Sequence, residues 1–230
     1  MALSNTASSF SEPTSVSGYA AKTSRLVPGL AGLHQMMGVL IAEKAPADGR
    51  ILVVGAGGGM ELEALAVMQP GWRFEGVDPS AEMLALAASH LGPLAERVSF
   101  HKGYVDTAPE GPFDAATALL VLHFLPKEAR LQTLRDIHRR LRPGAPLVVA
   151  HHSYPSEPEL QRTWLRRFVA YSEASGVAIG DSETTIATMQ RSLPALPPEE
   201  DEELLRMAGF QDVELFYAGF TFRGWVATRS

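Results

Sequence analysis

Residues 51–65 read ILVVGAGGGMELEAL. A short continuous apolar run leads into glycines at 55, 57, 58 and 59, and a helix-forming run leads out. Four apolar residues, three of them β-branched, without polar alternation predict a strand covered on both faces. So many glycines together predict a backbone that turns tightly or lies close to another group. Strand, glycine turn and helix start form a ligand-cradling unit, because the first N–H groups of a helix are free and carry positive dipole.

The same alternation repeats on both sides of this stretch. RFEGVD (73–78) predicts a strand, PSAEMLALAASHLG a helix ending at Gly92, and RVSFHKG (97–103) another strand. FDAATALLVL (113–122) predicts a longer apolar strand, KEARLQTLRDIHRRL a helix stopped by RPG, and PLVVAHH (146–152) a fifth strand. Near the end, EELLRMAGF reads as a helix, and QDVELFYAG and FTFRGWVATRS as two strands close enough to form an antiparallel hairpin. Strands alternating with helices imply crossover connections, a mostly parallel sheet and helices on both faces. Residues 155–198 interrupt the rhythm with one expected helix at Glu157–Ser172, a Gly/Ser-containing stretch and the turn-rich LPALPPEEDE. The expected organisation is a tail over residues 1–18, rich in Ser and Thr, and a single α/β domain over 19–230 with 155–198 as a cap insertion. Tyr19 to Ala45 carries helical spacing broken by VPG at Val27–Gly29.

Composition narrows the partners. The 230 residues carry 20 basic and 26 acidic side chains, a formal net charge of −6, which disfavours broad binding to nucleic acid or to an anionic membrane. No apolar stretch approaches the roughly 20 residues that span a bilayer. With zero cysteines there is no disulfide, thiolate metal site or cysteine nucleophile. A cytoplasmic protein is expected, and a homodimer stays open.

The glycine spacing then sorts the ligands. Counted from Gly55 it reads G-x-G-G-G, and the dinucleotide fingerprint would need Gly or Ala where Met60 stands. A phosphate-binding P-loop would end in Gly-Lys-Ser/Thr, and no such Lys follows. Asp78 closes the next strand 19 positions after Gly59, where an acid can accept hydrogen bonds from ribose hydroxyls. As Asp before Pro79 it is also a candidate helix N-cap.

Taken in order, ILVVGAGGG, GVDPSAEML, KGYVDTAP, FDAATALLVLHFLP and LRPGAPLVVAHHS resemble the motifs of the class I S-adenosylmethionine-dependent methyltransferases across residues 51–153. The resemblance implies a Rossmann-like seven-stranded sheet with an antiparallel edge hairpin, and S-adenosyl-L-methionine as cofactor. It implies that Gly55, Ala56, Gly57 and Gly59 contact the methionine part through backbone. Asp78, with Pro79 behind it, would hold the ribose, and Met83 would pack on adenine. The Val105 backbone and the Asp106 carboxylate would read the adenine edge, and the Ala118 and Leu119 carbonyls would face the methionine ammonium. One departure stands out. The family's usual acid two residues before the first glycine is Val53 here, and Glu61 at the head of the next helix is a candidate substitute, or simply a partner of the helix dipole.

Upstream, RLVPGLAGLHQMMGVL is similar to a segment of the carboxy-S-adenosylmethionine synthase group. On that likeness Tyr19 and Arg25 are candidates to reach the methionine carboxylate. Methyl transfer from a sulfonium needs alignment above all, with a general base only where the acceptor must lose a proton. His123 and His151 are the catalytic candidates. His151 and His152 point to opposite sides if their strand persists. Metal is not expected. Trp164, Phe168 and Tyr171 share one helical face and either line an acceptor site or bury the cap. The expected activity is methyl transfer to a small-molecule acceptor. The alternatives are a carboxy-S-adenosylmethionine synthase-like tRNA-modification enzyme or a non-catalytic cofactor-binding module.

Overall fold

The structure, a computed structural model, describes residues 18–230, so the expected tail lies outside the described residues except for Gly18. Among the described residues the first elements are two helices, α1 (Tyr19–Leu26) and α2 (Leu30–Ala42), separated at the expected Val27–Gly29 break. The alternating part follows as β1 (Arg50–Val54), α3 (Met60–Met68), β2 (Arg73–Asp78), α4 (Ala81–Leu91) and β3 (Val98–Lys102). It continues with β4 (Ala115–Leu119), α5 (Lys127–Arg140) and β5 (Pro146–His152). The chain closes with α6 (Pro158–Ala174), α7 (Ser182–Ser192), α8 (Pro198–Met207), β6 (Phe210–Gly219) and β7 (Phe222–Arg229).

The seven strands form one sheet in the order β3-β2-β1-β4-β5-β7-β6. The first five are parallel, and β7 runs antiparallel between β5 and β6, as the hairpin reading expected. Chain order reverses between β1 and β4, and the strand ends at such a switch point leave a crevice where ligands bind in open α/β sheets.

Continuous apolar strands follow from burial on both faces. Ile51 and Val53 point into a core shared with Leu33, Met37 and Ile41 of α2 and Leu62 and Leu65 of α3. Leu52 and Val54 point into the opposite core, with Leu134 and Ile137 of α5 and Leu204 and Leu205 of α8. The two-residue period of a strand divides one apolar run between two layers.

Three boundaries differ from expectation. The fourth strand stops at Leu119 rather than running to 122, because Leu120 adopts φ 60°, a left-handed conformation that breaks the ladder. The Gly/Ser-containing stretch hides α7, which Asp181 caps by accepting from the Thr184 N–H at 2.7 Å. The turn-rich prolines begin α8: Pro198 occupies its first turn, where a missing N–H costs nothing.

Candidate active site

The cavity grows out of the glycine turn. The N–H groups of Gly55 and Ala56 both donate to the Val77 carbonyl, at 2.8 and 3.0 Å, tying the end of β1 to the end of β2. Gly55 and Gly59 have φ of 79° and 76°, which glycine reaches without steric cost. A side chain at Gly55 would collide with Val121, and one at Gly59 would press on the backbone of Ala87 in α4. These two glycines therefore serve the turn and the helix packing.

Gly57 serves Asp78. Its N–H donates to Asp78 Oδ2 at 3.1 Å, while the Ser80 N–H donates to Oδ1 at 2.9 Å. Burial pushes the Asp78 carboxyl up, and these two N–H groups pull it back. The cap of α4 is Ser80, whose hydroxyl accepts from the Met83 N–H at 3.2 Å. The capping alternative for Asp78 thus passes to Ser80, and Pro79 precedes the cap rather than opening the helix.

Around this centre lies a cavity of about 300 Å³, at the lower end of the range for small-molecule sites. Val54, Gly55 and Gly57 form its floor, and Asp78, Pro79, Ser80 and Met83 one wall. Tyr104, Val105 and Asp106 come from the turn after β3, and Leu119, Leu120, Val121, Phe124 and Leu125 from the stretch after β4. Arg140, fully buried, braces the first of these turns from behind by donating to the carbonyls of Asp106 and Ala108, each at 2.9 Å. Tyr19 of α1 lies over the glycine turn, its ring 2.7 Å from where a Gly58 Cβ would stand. One face of α5 completes the enclosure through Ala129, Gln132, Thr133 and Asp136.

The charge of the lining is one-sided. Asp78, Asp106 and Asp136 face the cavity, and no Lys, Arg or His lines it among the described residues. Such a site repels phosphate and favours a ligand carrying hydroxyls and positive charge.

Of the residues expected from sequence, the structure brings together Tyr19, Gly55, Gly57, Asp78, Pro79, Met83, Val105, Asp106 and Leu119 on this lining. Ala56 and Ala118 are buried in the wall behind it, and Gly59 packs on α4. Arg25 sits beside Gly176, at the end of α6, and does not line the cavity. The α5 face is a part of the lining that the sequence motifs do not announce, although Ala129, Gln132, Thr133 and Asp136 recur at helical spacing within KEARLQTLRDIHRRL.

The histidines lie behind the wall. His123 is buried, packs at a tilt against cavity-lining Phe124 with 4.2 Å between centroids, and accepts from the His152 N–H at 3.4 Å. Burial pushes His123 and His151 well below the ordinary histidine range, with the neighbouring histidines and Arg130 adding to the effect. His151 and His152 do point to opposite faces. His151 packs on Trp225 with Nε2 3.2 Å from Asp201 Oδ1, whereas His152 stacks on Phe222 and meets Phe168 of α6. Asp201 in turn pairs with Arg130, and both side chains are buried. The cap aromatics turn to the protein rather than the cavity. Phe168 joins the core, Trp164 lies under Arg167 and Arg223, and Tyr171 meets Phe220.

Comparison with known proteins agrees with this geometry. Residues 51–144 match the family described as a methyltransferase domain. The carboxy-S-adenosyl-L-methionine synthase of Dichelobacter nodosus is 25% identical over 208 residues, covering 89% of this chain and 86% of that protein. The demethylmenaquinone methyltransferase of Chlorobaculum parvum is 27% identical over 209 residues, covering 86% and 83%. Among solved structures, a putative O-methyltransferase from Nostoc punctiforme shares the fold with a TM-score of 0.68 at 20% identity; the match covers 94% of this chain and 60% of that one. Fold, motif order and family match agree: residues 51–144 form a methyltransferase domain, and the chain as a whole is similar to S-adenosylmethionine-dependent methyltransferases.

Proposed function

We propose that the cavity between β1 and β4 holds S-adenosylmethionine and presents its methyl group to a small, largely apolar acceptor. The observation that carries this reading is the acidic, phosphate-repelling lining centred on Asp78. Two backbone N–H groups hold its carboxylate in place beside the glycine turn, so it is pre-oriented to accept from a pair of hydroxyls. Asp106 supplies an acceptor beside the flat apolar surface of Met83 and Val105, suited to the amino edge of an adenine. Bound there, the sulfonium supplies an activated methyl group. The chain's own contribution is alignment, exclusion of water by the apolar Leu119–Leu125 segment, and a negative field that favours the positively charged methyl donor. His123 is proposed as a positioning residue acting through Phe124, since its ring is buried and neutral.

A second reading follows from the synthase relative. A cofactor that carries an extra carboxylate needs a cation beside it, yet no basic side chain lines the cavity among the described residues, and residues 1–17 contain no Lys, Arg or His. The geometry therefore favours S-adenosylmethionine itself. Mass analysis of the cofactor after incubation with a metabolite extract separates the two: S-adenosylhomocysteine supports methyl transfer, and a carboxylated sulfonium supports the synthase reading.

Asp78→Ala is expected to weaken S-adenosylhomocysteine binding by about 1–3 kcal/mol, the cost of leaving polar groups unpaired in a closed site. Calorimetric titration checks this, and an unchanged affinity would remove Asp78 from the site.

A further inference from the structure

Glu61 is a buried acid that meets no cation among the described residues. It stands at the head of α3, two residues beyond the glycine turn, and is 9% exposed. Its Oε1 accepts from the Thr117 hydroxyl at 2.6 Å, and among the described residues no Lys, Arg or His pairs with it. Thr117 lies directly opposite Val53 in the β1–β4 ladder. The carboxyl is therefore held at the level of Val53, one strand residue (about 3 Å) below the Val54–Gly55 floor of the cavity. The titratable group near enough to respond to its charge is Tyr19 on α1, which covers the glycine turn and which Asp78 on β2 also faces; both carboxyls push the Tyr19 hydroxyl up.

Burying a lone carboxyl is costly unless a partner arrives. We propose that Glu61, delivered from α3 rather than from the end of β1, is the counter-charge for the ammonium at the amino-acid end of the bound sulfonium cofactor. This rests on the cofactor reading above and adds to it the residue that holds the methionine end. Without ligand, burial pushes Glu61 up to about 8, so the acid is mostly protonated at neutral pH. An ammonium at this position stabilises the carboxylate. The carboxyl proton then leaves to solvent while the ammonium keeps its charge.

Two ligands separate this from a structural role. S-adenosylhomocysteine carries the ammonium, whereas methylthioadenosine keeps the nucleoside and sulfur but lacks the amino-acid end. Glu61→Gln is expected to bind S-adenosylhomocysteine about tenfold or more weakly, as for loss of a hydrogen bond to a charged group, and methylthioadenosine with unchanged affinity. Calorimetry of the wild-type protein at pH 7, in buffers of different ionisation enthalpy, is expected to show proton release on binding S-adenosylhomocysteine but not methylthioadenosine. Thr117→Val, which removes only the orienting hydroxyl, should show the same selectivity at smaller size. Equal loss of both ligands in both variants, or no proton release by the wild-type protein, overturns the assignment. Should the wild-type protein bind neither ligand, the cofactor reading itself falls and takes this one with it.

Discussion

Asp201→Ala is expected to lower the free energy of unfolding by about 3–5 kcal/mol, because it leaves the Arg130 guanidinium buried without its counter-charge. Arg130 is 0% exposed and Asp201 2%. Burial pushes the Asp201 carboxyl up to about 6 and Arg130 pulls against that shift, so at neutral pH the pair is ionic. Arg130 also donates to the carbonyls of Pro194, at the end of the cap, and Leu125, on the cavity wall. One buried ion pair thus ties α8 and α5 to the two segments that flank the acceptor side of the site. For a chain of this length the loss corresponds to a fall in Tm of roughly 6–20 °C. Replacing both partners together, Arg130→Met with Asp201→Leu, should recover much of the stability, since no isolated charge remains. Urea unfolding of the two single variants and the double variant checks this. Additive losses would show that the two side chains act independently.

The fold was legible where a single interaction decides local structure, and obscured where two compete. Strands β2 and β5 span the residues expected of them, 73–78 and 146–152, and the apolar run of β5 lies in a strand buried along its whole length. The fourth apolar run continues past Leu119 for a different purpose: Leu120, Val121 and Phe124 leave the sheet to line the cavity. Hydrophobicity alone cannot distinguish a residue that faces a core from one that faces a ligand. Helix α7 was hidden because SETTIATMQRS lacks a continuous apolar face, with Ile186 its one buried side chain. Asp181 as cap was the readable signal.

The candidate site divides in the same way. Residues that act through backbone at the glycine turn, and Asp78 after it, are readable because turn geometry restricts the choice of residue. The polar face of α5 is not, since Gln132, Thr133 and Asp136 look like any solvated helix surface until the sheet is assembled. The histidines show the converse. His123 and His151 stand at the strand ends where catalytic groups gather, yet packing turns both rings into the protein. Sequence position places a residue at the correct edge of the sheet but does not decide which way its side chain points.

Buried titratable groups of opposite kinds predict a stability that peaks between about pH 5 and 7. Burial lowers His152 to about 3 and His34 to about 4, from 6.5. Below 6.5 the unfolded chain takes up protons that the folded one refuses, so stability is lost as pH falls. At about 1.4 kcal/mol per pKa unit, each histidine costs roughly 2–3 kcal/mol by pH 4.5. Glu61 works in the opposite direction. Its carboxyl is raised from 4.5 to about 8, so the folded protein keeps a proton that the unfolded chain releases. Stability is therefore lost as pH rises from 4.5 through 8, by about 4–5 kcal/mol in all. Asp201, raised to about 6, acts in the same sense over a narrower interval. Glu61→Gln removes the larger of these two contributions and keeps a group that can still accept from Thr117. Relative to the wild-type protein it should gain about 3 kcal/mol or more at pH 8.5 and little at pH 5. Urea unfolding across pH 4.5–9 measures both limbs. An alkaline limb equally steep in Glu61→Gln would mean that the buried carboxyl is not what the folded protein keeps protonated. If the limb flattens in the variant, the same acid that weakens the empty protein is free to be stabilised by a cation. Saturating S-adenosylhomocysteine should then flatten it in the wild-type protein as well.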